Sequence, residues 1–177
     1  MTHAGLVITV RRAGPDDWSV LRDLRLQALG QEPLAFGSTL AREQAFTEAV
    51  WRERAGSNAT FLAHQGRRLV GTATGYVEPA GPAGLVQLVA MYVDPMARGT
   101  GCAHRLIDAV AGAAAAGGAR RLLLQVTDVN PVAQRCYRRY GFVETGRTMP
   151  LPHAPDVLEV EMALELGSGP DHGPSRG

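Results

Sequence analysis

The run Val93-Asp94-Pro95-Met96-Ala97-Arg98-Gly99-Thr100-Gly101-Cys102-Ala103 closes an apolar stretch and opens an alanine-rich one. A strand, a glycine-bearing turn and a helix start, in that order, make an anion site. Glycine reaches dihedrals that point successive N–H groups at one spot, and the helix dipole adds to the attraction. A pyrophosphate is the guest such a turn suits. There is no Gly-Lys-Ser/Thr ending, and the glycines are too few and wrongly spaced for the dinucleotide fingerprint, so neither ATP nor NAD is favoured. Taken alone, the same glycines also suit a plain tight connection.

A second segment follows at Asn130-Pro131-Val132-Ala133-Gln134-Arg135-Cys136-Tyr137-Arg138-Arg139-Tyr140-Gly141-Phe142. Asn130, Ala133 and Tyr137 are spaced to share one helix face. An asparagine cap, a packing alanine and a half-buried tyrosine would account for that spacing as well as a ligand site does.

The elements that must hold these segments are legible around them. Residues 6–12 read as a strand, and Gly14-Pro15-Asp16-Asp17 as a turn into a helix carrying Trp18, Leu21, Leu24 and Ala28 at helical spacing. After a loop through Phe36, Ser38 or Thr39 caps a second helix whose apolar face is Phe46, Val50 and Trp51. Residues 61–64 and 69–77 form a hairpin around Gln65-Gly66-Arg67. The run 85–93 is apolar apart from Gln87 and predicts a central strand covered on both faces. Residues 103–116 form a helix stopped by Gly117-Gly118, and 122–127 form a strand parallel to 85–93, because strand, helix, strand requires a right-handed crossover. A helix from Asn130 to Gly141 and closing strands at 142–145 and 157–164 complete an α/β, mixed α+β domain over residues 1–166. The Gly-, Pro- and Ser-rich residues 167–177 read as a disordered tail.

Composition narrows the class. The chain has 177 residues, a net charge of +1 and 45% hydrophobic content, which suits one soluble domain with a real core and argues against a nucleic-acid partner. All of its positive side chains are arginine. Cys102 and Cys136 are in neither disulfide nor metal spacing, the five histidines show no ligand spacing, and no metal is expected. A cytoplasmic protein with no export signal and no membrane span is the expectation.

Together, Arg-Gly-x-Gly-x-Ala after one strand and Asn-x-x-Ala-x-x-x-Tyr-x-x-x-Gly-Phe after the next resemble the two signature segments of the GNAT (GCN5-related N-acetyltransferase) superfamily. The resemblance covers all but the tail. It implies a mostly antiparallel sheet with two parallel strands splayed apart, flanking helices, and acetyl-CoA as co-substrate. By this resemblance the backbone at Met91, Tyr92 and Val93 holds pantetheine, and Arg98, Gly99, Thr100, Gly101, Cys102 and Ala103 hold pyrophosphate. Asn130 and Ala133 line the cofactor, and Tyr137 stands near its sulfur as proton or hydrogen-bond donor to the departing thiolate. The acceptor enters between 34–39 and 148–156, where Phe36 and Gln87 are candidate lining residues. The family's frequent base, a glutamate on the central strand, matches Gln87, which cannot accept a proton. Glu43, Glu78, His153 or water alone are then the alternatives.

The implied activity is N-acetylation of a primary amine, on a small molecule or a peptide N-terminus, by direct transfer in a ternary complex. A non-catalytic acyl-CoA sensor is the competing expectation, favoured by Gln87. The apolar strand 157–164 could pair across a homodimer as a sheet edge.

Overall fold

The first strand, β1 (Ile8–Arg12), hydrogen-bonds antiparallel to the next strand, β2 (Ala59–Gln65), across three intervening helices. These are α1 (Trp18–Gln31), α2 (Leu40–Gln44) and α3 (Glu48–Ser57). Then follow β3 (Arg68–Tyr76), β4 (Leu85–Val93), α4 (Cys102–Ala116), β5 (Arg121–Thr127), α5 (Pro131–Tyr140), β6 (Val143–Leu151) and β7 (Ala154–Glu165). The computed structural model describes residues 7–57 and 59–167, so the expected tail lies outside the described residues apart from Gly167.

The seven strands run in the order β1-β2-β3-β4-β5-β7-β6, and β4 with β5 is the one parallel pair among them. This is the expected mixed, mostly antiparallel sheet. Val86, Leu88, Leu122, Leu124 and Met162 bury one sheet face against Leu106, Ile107 and Val110 of α4. The other face packs α1 through Leu24, Ala28 and Leu29 onto Tyr92. No described helix is long and apolar enough to cross a membrane.

Three expectations are corrected. The second helix is two helices: α2 ends at the Ala45 cap, and Phe46 leaves the helical path to pack on the Trp51 ring at 5.8 Å. Thr39, of the two candidate caps, accepts the Arg42 N–H at 3.3 Å. The closing strands are much longer than 142–145 and 157–164, and they meet at a tight turn around Pro152 and His153, not across a long loop. Finally, β7 lies between β5 and β6 and offers no edge for a dimer. The sheet edges are β1 and β6, and nearly all of β6 is exposed.

One irregularity opens the sheet. Thr72 faces Tyr92 and Thr74 faces Val89, so Ala90 and Met91 together oppose Ala73. Ala90 takes the extra position with φ +51°, the one non-glycine residue at positive φ among those described. Such a bulge bends its strand and raises the local twist. Accordingly β4 pairs with β5 only from Leu85 to Gln87, and beyond that point the two strands separate. A left-handed backbone costs an L-residue about 1–2 kcal/mol, and a β-branched side chain fits it worst. Thermal unfolding should therefore find Ala90→Gly as stable as the parent or more so, and Ala90→Val less stable by about 1–2 kcal/mol.

Candidate active site

The separated strands leave part of the backbone without a strand partner. The Asp94 N–H donates to the Val70 carbonyl at 2.8 Å, which directs the backbone groups of Asp94 and Tyr92 toward β3. By alternation, Met91 and Val93 turn theirs toward the gap. The Val93 carbonyl accepts Arg98 Nε at 3.1 Å. What faces the gap is thus the Val93 N–H and both polar groups of Met91, an open edge of the kind an extended amide chain can extend. The Tyr92 ring is turned the other way, and its hydroxyl donates to Gln31 Oε1 at 2.7 Å and accepts from Gln27 Nε2 at 3.1 Å. Tyr92, expected from the sequence to hold pantetheine by its backbone, therefore turns neither backbone nor side chain to the gap, because β3 takes the one and α1 the other.

At the end of β4 a short turn leads to α4. Gly99 and Gly101 sit at φ +76° and +83°, and a Cβ built on either meets nothing within 4 Å. Space above these glycines, combined with the unpaired first-turn N–H groups of a long helix, is what a phosphate requires. The side chains beside it are largely engaged elsewhere. Thr100 Oγ1 donates to the Ala97 carbonyl at 2.6 Å, and Cys102 is buried in the core, so these residues and Ala103 present backbone alone. Arg98 also forms an ion pair with Glu32 near the end of α1.

Across the gap, Asn130 caps α5 by accepting the Ala133 N–H at 3.1 Å. Gly141, at φ +124°, ends this helix, with the Phe142 N–H donating back to the Tyr137 carbonyl. Tyr137 is buried edge-on against Phe142 at 5.8 Å. Burial, and to a lesser degree the neighbouring Cys136, push the Tyr137 phenol well above its ordinary pKa, so it stays protonated at neutral pH. It can donate a hydrogen bond to a thiolate but will not readily surrender its proton.

On the opposite face, alternation along each strand places Gln87 of β4 with Leu123, Gln125 and Thr127 of β5 and with Glu159 and Glu161 of β7. His153 in the β6–β7 turn bonds the carbonyl of Pro33, the residue before the 34–39 segment, at 3.0 Å. Phe36 does not line this face. It is 7% exposed, packs with Leu24 and Leu29, and carries Arg25 over its ring at 4.5 Å.

Glu43 takes bonds from Arg25 at 2.9 and 3.0 Å and from Arg54 at 3.2 Å, which makes it a tie between helices. Glu78 lies in the β3–β4 connection, at the end of β4 remote from the gap. A hollow lined by Arg121, Val143, Glu144 and Glu165 is likewise at the far end of the sheet. Sequence reasoning missed Glu159, Glu161 and Thr127, because nothing in their spacing shows which face of the sheet they occupy.

A parallel pair that parts beside a glycine turn is an arrangement suited to an extended, phosphate-bearing cofactor, and a family match accompanies it. The Acetyltransferase (GNAT) family model matches residues 17–142, and the chain belongs to that family. It is 31% identical over 157 residues to the mycothiol acetyltransferase of Geodermatophilus obscurus, covering 86% of this chain and 47% of that protein. The chain thus spans about half the length of the curated relative it matches. Its fold is similar to that of a GNAT-family acetyltransferase from Streptococcus pneumoniae, with TM-score 0.76, 19% identity, and coverage of 91% of this chain and 100% of that one. It is also similar to the phosphinothricin acetyltransferase of Sinorhizobium meliloti in complex with acetyl-CoA, with TM-score 0.75, 22% identity, and coverage of 96% and 94%.

Proposed function

We propose that this acetyltransferase moves an acetyl group from acetyl-CoA to the nitrogen of a primary amine, on a small molecule or a peptide N-terminus, in a ternary complex. The observation that carries the reading is the open backbone edge at Met91 and Val93 running directly into the turn at Gly99 and Gly101. In this reading residues 1–166 act as one domain. Pantetheine amides lie along Met91 and Val93, and the pyrophosphate rests on the amides of Gly99, Thr100, Gly101, Cys102 and Ala103, with Arg98 beside it. Asn130 and Ala133 line the thioester side of the gap.

The acceptor approaches from the Gln87 face. Its lone pair forms the N–C bond, the C–S bond breaks, and the sulfur keeps the electron pair and finally takes the proton lost from nitrogen. Tyr137 donates a hydrogen bond to that sulfur. Because the phenol stays protonated, hydrogen bonding and not full proton transfer is its contribution. Tyr137→Phe should therefore lower kcat by about 10–100-fold, less than the loss of a full general acid. Acetyl-CoA binding, read by thermal shift, should persist in the variant. An unchanged kcat would remove Tyr137 from the chemistry.

A sensor that binds acyl-CoA without turnover is the second reading, and the observation favouring it is Gln87, which cannot serve as a base. Thiol release from acetyl-CoA in the presence of amines separates the two. Release above the amine-free background supports transfer, whereas binding without release supports the sensor.

A further inference from the structure

Glu159 stands where a strand pairing and an opening in the sheet coincide. The Asp128 N–H donates to the Leu158 carbonyl at 2.8 Å and the Leu158 N–H to Asp128 Oδ1 at 3.2 Å, so Asp128 and Leu158 hold the hydrogen-bonded position of the ladder. Thr127 and Glu159 are consequently the next, non-hydrogen-bonded pair, the closely spaced kind whose side chains lie about 5 Å apart on one face. Met149 of β6 flanks Glu159 on its other side. Thr127 belongs to the part of β5 that has left β4, so this row borders the gap.

Two features mark the row as waiting for a ligand. Thr127 is 2% exposed, yet its hydroxyl has no hydrogen-bond partner. An unsatisfied buried hydroxyl costs about 1–3 kcal/mol, which a polar ligand atom beside it would relieve. Glu159 has no ion-pair or hydrogen-bond partner among the described residues, whereas Glu161, two residues along the same face, accepts Thr145 Oγ1 at 2.8 Å. Glu161 is thus committed to the β6 bulge, and Glu159 is free.

We propose that Glu159 binds the acceptor as an ammonium at the mouth of the gap and takes its proton, with the Thr127 hydroxyl as the second polar contact. This rests on the acetyl-transfer reading above and names its acceptor as an amine that is protonated at neutral pH. One N–H bond of the ammonium breaks, its proton goes to a Glu159 Oε, and its electron pair becomes the lone pair that attacks the acetyl carbon. The second proton lost from nitrogen as the amide forms goes to the departing sulfur, and Glu159 returns its own proton to solvent.

The groups around Glu159 are His153 in the β6–β7 turn, Glu161 on β7 and Arg147 at the end of the β6 bulge; β5 contributes the uncharged Gln125 and Thr127. Burial raises the Glu159 pKa, opposed by the His153 charge, which moves its titration toward the working range of a base. The acid limb of wild-type kcat/KM should therefore lie above the ordinary carboxylate range.

The test uses the full chain with two probe amines, alanylglycinamide (amine pKa about 8) and Nα-acetyl-lysinamide (about 10.4). Glu159→Gln should lose about 100-fold in kcat/KM at pH 7 with the lysine probe and less with the α-amine, and should lose the acid limb. Its thermal shift with acetyl-CoA should match the wild type. Glu159→Asp keeps the limb at a lower rate and covers a Gln variant that fails to fold, and Glu144→Gln on the opposite face should behave as wild type. Activity of Glu159→Gln within about threefold of wild type on both probes, with the same pH profile, overturns the proposal; such a loss lies far below that of a general base. So does a wild type that binds acetyl-CoA and acetylates neither probe. A wild type that shows no acetyl-CoA shift at all overturns the underlying reading instead.

Discussion

Replacing Glu43 with alanine is expected to cost about 3–5 kcal/mol of stability, the usual penalty for removing one partner of a buried ion pair. Glu43 is 1% exposed and joins α2 to α1 through Arg25 and to α3 through Arg54. Without it the Arg25 guanidinium, which already has Nη1 buried without a partner, would be an uncompensated buried charge. A melt should show the midpoint lowered by roughly 10 °C, at about 2–4 °C per kcal/mol for a domain of this size. A loss below about 1 kcal/mol would mean that the pair contributes no more than a surface bridge.

The pH dependence follows from the same contacts. Burial works to raise the Glu43 carboxyl, but the Arg25 hydrogen bonds and the Arg25 and Arg54 charges outweigh it and hold the pKa below its ordinary value. A carboxyl lowered in the folded state contributes fully above its unfolded pKa of about 4.3, and the contribution disappears as pH falls through the folded value. The stability gap between wild type and Glu43→Gln should therefore be widest near neutrality and narrow below about pH 4.

The second large effect concerns the glycine turn. Wild type at a hundred times the dissociation constant of acetyl-CoA should gain about 2.7 kcal/mol, a rise of roughly 5–10 °C. Gly101→Glu should show none of it. A Cβ at Gly101 meets nothing in the protein, so this variant folds, paying only the left-handed backbone cost of about 1–2 kcal/mol. Its carboxylate then stands where the phosphates would. Gly101→Ala has the same backbone strain without the charge, and a shift intermediate between the two separates those effects. A full shift in Gly101→Glu would place the ligand elsewhere.

How much of this was legible in the chain depends on distance along it. The glycine turn, the Asn130 cap and the Gly141 helix stop are local, so residue type at fixed spacing reveals them. The parallel pairing of β4 and β5 was legible as well, since a strand-helix-strand order admits one handedness. The break between α2 and α3 was missed because Phe46 leaves the helix for Trp51 and Arg54, tertiary contacts that propensity does not register. Phe36 is a candidate pocket residue by sequence because a loop aromatic gives no sign of the core cluster that covers it.

By itself, then, the sequence determined the α/β class, the order of the main elements and the glycine turn, all of which depend on neighbouring residues and backbone sterics. Only the tertiary structure decided which side chains share the sheet face of Gln87. Ala90 adds one residue to β4, and β7 inserts between β5 and β6. Each event sets register, and a shift of one residue sends every later side chain to the other face. Glu159 pairs with Thr127 because of that insertion, and Glu43 meets Arg25 from 18 residues away because α2 packs on α1.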